Sequence, residues 1–227
     1  MKFSSYLDCH THSIPQNSQH LSLYVLALNE KVPRDIEAFC IGLHPWDQTK
    51  IYWKDWVAQN EQLFVHPKCW AIGEIGFDNI KTPVFNEKWD YLTYFFTMAL
   101  NRKKPIVLHL VKATQELYEF LMQNPKFQSI PIIIHAYHGN IEQTKLLLRF
   151  PIYFSLGPRE LKRKSTTEEL KNSILSRLLL ETDDSNTAIE EVYQLATQYF
   201  SEDLKSIQAK IRSNFQMIFP LSKSLLN

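Results

Sequence analysis

The chain has 227 residues, 44% hydrophobic and 22% charged, with a net charge of +1. That length and balance suit one globular domain, expected to span residues 1–227, and exclude a broad electrostatic field drawing the protein onto nucleic acid or an anionic membrane. Attraction to a polyanion would have to come from bound metal or from a few Lys and Arg near a site. Three cysteines (Cys9, Cys40, Cys69), odd in number and without CxxC spacing, argue against a disulfide framework and for a reducing compartment. The N-terminus has no apolar leader and no stretch reads as membrane-spanning, so the expected location is the cytoplasm, with no obligate protein partner.

Short apolar runs alternate with longer amphipathic ones. Strands are expected at 6–10, 23–28, 38–43, 69–75, 106–109, 130–135, 152–156 and 178–182. Runs such as Ile132-Ile-Ile134 and Leu178-Leu-Leu180 are continuous, as in parallel strands buried on both faces. Helical patterns occupy 52–64, 84–101, 113–123, 141–149 and 187–200. A last helix carries Leu204, Ile207, Ile211, Phe215 and Ile218 on one stripe, with Ser201 as its N-cap. Such alternation means a parallel α/β sheet, here expected to close as a TIM-like barrel, with an open doubly wound sheet as the alternative. The first two units have no room for full helices, so the barrel should be irregular and shortened on that side.

The five glycines, Gly42, Gly73, Gly76, Gly139 and Gly157, are about a third of average usage, and each sits near the end of an expected strand. The first four neighbour a histidine or glutamate, where a close backbone approach is useful.

Candidate ligands cluster at the same strand ends. In Asp8-Cys-His10-Thr-His12, alternate residues share a face, so two imidazoles can grip one cation while Asp8 orients a ring nitrogen from below; Cys9 points the other way, into the core. Glu74 interrupts an otherwise apolar strand and is costly there unless paired or metal-bound. His109 and His135 each finish an apolar strand, and Glu181-Thr-Asp183 follows the last one. In parallel α/β folds these ends converge on one face. Four histidines and two carboxylates suffice for two cations sharing a carboxylate, the arrangement that activates water and clamps a scissile group. There is no GxSxG, no phosphate-cradling GxxxxGK[ST] or GxGxxG, and no cysteine with a persuasive histidine partner.

With these segments in order, the sequence resembles the TatD family of metal-dependent deoxyribonucleases, among the amidohydrolase-like TIM barrels. The matching segments are Asp8-Cys-His-Thr-His12, Gly42-Leu-His-Pro-Trp46, Ala71-Ile-Gly-Glu-Ile-Gly-Phe-Asp78, Pro105-Ile-Val-Leu-His109, His135-Ala-Tyr-His-Gly139 and Leu180-Glu-Thr-Asp183, with a weaker seventh at Asn214-Phe-Gln-Met-Ile-Phe219. The resemblance implies two divalent ions (Mg, Mn or Zn): His10, His12, Glu74 and Asp183 around one, and Glu74, His109 and His135 around the other. Glu74 and Asp183 would be catalytic, Asp183 orienting or deprotonating water. The implied activity is Mg²⁺-dependent, exonucleolytic cleavage of DNA.

Three departures fall where substrate would lie. The segment between His12 and Gly42 is short, Val111 stands where the family commonly has arginine, and Asp184-Ser-Asn-Thr replaces the usual Pro/Tyr-rich loop. His44, Tyr137 and His138 could contact substrate or simply pack. The run Arg159, Lys162, Arg163, Lys164 could receive a phosphodiester backbone or be solvated surface, whereas Arg102-Lys-Lys104 belongs to the opposite face. Two other functions stay open: a hydrolase of a small ester, amide or phosphomonoester, and a metal-binding protein without catalysis.

Overall fold

The computed structural model describes residues 6–14, 19–48, 50–82, 87–163, 166–222 and 226. Eight strands, β1 (Leu7–Thr11), β2 (Leu21–Val25), β3 (Ala38–Ile41), β4 (Cys69–Asp78), β5 (Ile106–Val111), β6 (Ile132–Ile134), β7 (Ile152–Leu156) and β8 (Leu178–Leu180), run parallel in chain order. Every residue of β1, β2, β3, β6, β7 and β8 is buried, which is why β3, β6 and β8 are continuous apolar runs, whereas β1 buries Asp8, His10 and Thr11.

The sheet closes through Asp183. Its N–H donates to the His10 carbonyl at 2.9 Å, and its carbonyl accepts from the His12 N–H at 3.1 Å, bridging β1 to the segment after β8. Asp183 is left-handed here, with φ of 54°.

Helices α1 (Trp53–Gln59), α2 (Glu61–Phe64), α3 (Lys88–Arg102), α4 (Thr114–Gln123), α5 (Ile141–Leu147), α6 (Pro158–Leu161), α7 (Glu168–Leu175), α8 (Ile189–Phe200) and α9 (Leu204–Ile218) follow from β3 onward. Among the described residues no helix joins β1 to β2 or β2 to β3, the expected shortening. The helices bury one face each; α3 contributes Tyr91, Leu92, Phe95, Phe96, Met98 and Ala99.

Several boundaries differ from expectation. The helix expected at 52–64 breaks at Asn60, whose side-chain amide donates to the Trp56 carbonyl and ends α1. The expected start of α3 at Val84 lies outside the described residues. Asp203, not Ser201, caps α9 by accepting from the Ser206 N–H at 3.0 Å; Ser201 is the left-handed C-cap of α8. Helices α6 and α7 were not among the expected helices: α6 is a single turn, and α7 is short, with Leu170, Ile174 and Leu175 as its whole apolar stripe. Strand β2 begins and ends earlier than expected, β6 and β8 are shorter, and β4 runs on to Asp78.

Asp8 does not orient a ring nitrogen. It turns across the closing seam, where Oδ1 accepts from the Thr182 N–H at 3.1 Å and Oδ2 lies 2.7 Å from the Thr182 hydroxyl, which continues to Thr11 Oγ1 at 2.9 Å. Burial pushes the Asp8 carboxyl up to about 7, against the hydrogen bonds from Thr182. A protonated Asp8 can donate to Thr182, leaving the Thr182 hydrogen for Thr11. The folded state therefore holds a proton that the unfolded chain releases near 3.8. The resulting stabilisation is complete below that value and is lost as pH rises through about 7. Asp8→Ala should cost roughly 2–3 kcal/mol in urea unfolding at pH 5 with chelator present. Asp8→Asn should flatten the pH dependence between 4 and 8, and an unchanged profile would refute this role.

Candidate metal centre

Glu74 sits in the middle of β4, and the strand is built to place it. Between the pairs Ile72–Ile106 and Ile75–Leu108, β4 holds one residue more than β5, so it bulges at Gly73-Glu74. Gly73 and Gly76 lie inside the strand rather than at its end. Gly73 takes φ of +152°, and a Cβ there would lie 2.4 Å from the Val107 carbonyl oxygen. Only glycine allows β5 to approach this closely.

The two oxygens of Glu74 face two different sets of imidazoles. Oε1 lies 2.7 Å from His135 Nε2, 2.9 Å from His109 Nδ1 and 3.1 Å from His44 Nε2. Oε2 lies 3.5 Å from His10 Nε2 and 3.9 Å from His12 Nε2. Asp183 Oδ1 closes the second set at 3.5 Å from both His10 Nε2 and His12 Nε2. All six expected ligands, His10, His12, Glu74, His109, His135 and Asp183, thus meet at the C-terminal ends of the strands.

Burial alone would raise the Glu74 carboxyl, but His135, His109 and His44 outweigh it and hold it well below the usual carboxylate range. Asp183 is likewise held at about 2 by His12, His10 and His135 against its burial. His135 is raised to about 10 because Glu74 overcomes the penalty of burial. Burial, helped by His135, lowers His10 to about 3, and neither of its ring nitrogens has a hydrogen-bond partner. An orphaned, buried imidazole nitrogen facing two carboxylate oxygens at 3.5 Å fits a cation between them.

Two carboxylates whose placement the sequence left unassigned stand behind the histidines. Asp78 Oδ2 is 3.4 Å from His109 Nε2 and accepts from the Trp46 indole N–H at 2.8 Å, while Oδ1 accepts from the N–H groups of Ile80 and Lys81. Glu181, fully buried and raised to about 8 by that burial, accepts from the Ala136 N–H and lies 3.9 Å from His135 Nδ1. Glu181 therefore faces the back of His135 and not the centre itself. A carboxylate behind a histidine is a recognisable device, but its register could not be read before β4 was known to reach residue 78.

The centre opens into a cleft of about 820 Å³. Trp46 and Lys81 line one part of it, with the lysine Nζ 3.4 Å from the indole centroid; Lys50, Lys112, Arg159 and Arg163 also reach it. Two members of the basic run thus face the cleft, Lys162 does not line it, and Lys164 lies outside the described residues. His138 also lines the cleft: its nitrogens face the Ala136 carbonyl and Glu160 Oε1, and Glu160 raises its pKa. Tyr137 packs on Phe154 and bonds Thr144, so it serves the core.

Parallel strands carrying a buried histidine–carboxylate cluster at their C-terminal ends make this a parallel α/β barrel with a candidate metal centre. Residues 10–220 match the family described as TatD related DNase, and the chain belongs to that family. The human "3'-5' RNA nuclease TATDN2" is 26% identical over 179 residues, which is 75% of this chain and 23% of that protein. A TATDN1 homolog of Vairimorpha ceranae is 22% identical over 156 residues, 68% of this chain and 55% of that one. The chain thus spans little more than half, or less, of these relatives' lengths. The crystal structure of the TatD homolog YJJV from Escherichia coli superposes with a TM-score of 0.78 at 16% identity, covering 95% of this chain and 98% of that one. No described helix is long and apolar enough to cross a membrane.

A cation entering this centre must displace the His135 proton, which is held up to about pH 10. Mn²⁺ affinity, measured by titration calorimetry, should therefore rise with pH between 6 and 8, by up to about tenfold per unit for one displaced proton. Affinity independent of pH would contradict this charge arrangement.

Proposed function

We propose that this protein is a divalent-metal-dependent phosphodiesterase acting on DNA. The observation that carries the reading is the split of Glu74, one oxygen toward His109 and His135 and the other toward His10 and His12. In this assignment His10, His12, Glu74 and Asp183 hold one ion, and Glu74, His109 and His135 hold a second, with Glu74 shared. Ions so held, Mn²⁺, Zn²⁺ or Mg²⁺, polarise a phosphodiester and acidify water near neutral pH. Imidazole-rich ligation favours Mn²⁺ or Zn²⁺ over Mg²⁺, which prefers oxygen.

The chain's own residues do the rest. Asp183, ionised and a quarter exposed, is placed to orient the attacking water and take its proton. Asp78 fixes the His109 ring from behind. Lys50, Lys81, Lys112, Arg159 and Arg163 follow β3, β4, β5 and β7 and line the cleft beside an equal number of carboxylates, so they offer a phosphate backbone individual contacts rather than a net positive field. This reading treats residues 1–227 as one cytoplasmic unit without an obligate protein partner.

Purified protein should shorten labelled single-stranded DNA with Mn²⁺ or Mg²⁺ and stop on chelation. Glu74→Ala and Asp183→Ala should each lower turnover by about 10²-fold or more. Parallel assays on duplex DNA, RNA and a panel of small esters, amides and phosphomonoesters set the substrate class. Intact DNA beside hydrolysis of a small substrate would replace this reading with the small-molecule one. Inertness toward every substrate despite bound metal would leave a binding protein.

A further inference from the structure

His44 stands beside the ligands, and by distance alone it belongs with Glu74 and His109 in a metal-holding group. What each ring's far nitrogen faces separates them. The far nitrogen of His109, Nε2, faces the Asp78 carboxylate at 3.4 Å. A carboxylate behind a ring keeps the proton on the far side and leaves the near nitrogen a lone pair for a cation. His44 is reversed. Its Nδ1 accepts from the Trp46 backbone N–H at 3.1 Å, so the ring proton must sit on Nε2, the atom that faces the centre.

The local sequence holds His44 in that state. Gly42 brings the chain against β4, where a Cβ would lie 2.7 Å from the Glu74 carbonyl oxygen. His44 then caps the 3₁₀ turn Pro45–Asp47, and the Trp46 indole anchors that turn by donating to Asp78. The imidazole is edge-on to both Trp46 and His109, with ring centroids 4.7 Å away in each case. It is a fixed donor with a side chain about one-fifth exposed to the cleft.

We propose that His44 is a catalytic residue that donates an Nε2–H hydrogen bond to a phosphoryl oxygen of the substrate, and is not a metal ligand. This rests on the phosphodiesterase reading of the same centre. In the present structure that proton faces Glu74 Oε1 at 3.1 Å and His109 Nδ1 at 3.4 Å. Once Glu74, His109 and His135 turn their lone pairs to a cation, the His44 proton requires another acceptor, and the phosphodiester supplies one carrying negative charge. A fixed donor aimed at an oxygen that gains charge stabilises the transition state more than the ground state.

The test compares wild type, His44→Ala and His44→Gln for Mn²⁺ stoichiometry and affinity, and for turnover of a single-stranded oligonucleotide and its two phosphorothioate diastereomers. The proposal expects unchanged stoichiometry, Mn²⁺ affinity within about threefold, and kcat lowered about 10²–10³-fold in His44→Ala with partial recovery in His44→Gln. It also expects a smaller His44→Ala effect on one diastereomer, because sulfur accepts hydrogen bonds poorly. Loss of one ion per chain, or Mn²⁺ binding weakened tenfold or more, would make His44 a ligand and overturn the proposal. Undiminished turnover, or equal effects on all three substrates, would overturn it as well. Wild-type protein that binds Mn²⁺ and cleaves no phosphodiester overturns the functional reading and this choice of acceptor together. Metal stoichiometry in His44→Ala then still decides between donor and ligand.

Discussion

A single buried carboxylate organises this molecule. Glu74 is 3% exposed, and five imidazoles crowd its two oxygens. Neither the carboxylate nor the imidazoles would be stable in an apolar barrel alone, since each requires the others or a cation to offset desolvation. The bulge of β4, the glycines that permit it and the approach of β5 all serve to hold that side chain at the axis of the strand ends.

Closure of the barrel is tied to the same centre. Asp183 contributes its backbone to the seam between β1 and β8 and its carboxylate to His10 and His12. Asp183 therefore both lines the candidate metal centre and shuts the sheet. Asp8 and Thr182 reinforce the seam from beneath, and burial rather than a charged partner sets the carboxyl's raised pKa of about 7.

Much of this was legible in the sequence because parallel strands are apolar throughout, so a histidine or glutamate at a strand's end stands out against its neighbours. The four histidines and Glu74 stand out in that way, as does the missing helical room in the first two units, whereas the choice of Asp183 over Glu181 comes from the family resemblance. What escaped had physical reasons. Asp8 shares a face with His10 by strand periodicity, yet the neighbouring Thr182 backbone captures it, and that contact spans 174 residues. Asp78 was unassigned because the strand was expected to end at Ile75, before Gly76, whose positive φ the strand in fact absorbs. Helix α7 is too short for its three apolar residues to stand out, and the N-cap of α9 moved because two acceptable capping residues, Ser201 and Asp203, lie two positions apart. The orientation of His44 depends on a single backbone N–H and could not be read from spacing.

The central claim is that Glu74 bridges two cations. Diffraction from crystals soaked in Mn²⁺, with an anomalous difference map, tests it most directly. The account predicts two peaks flanking the Glu74 carboxylate, about 3.5–4 Å apart, one beside His10, His12 and Asp183 and the other beside His109 and His135. A lone peak with Glu74 on one side only, or density away from this carboxylate, would contradict it.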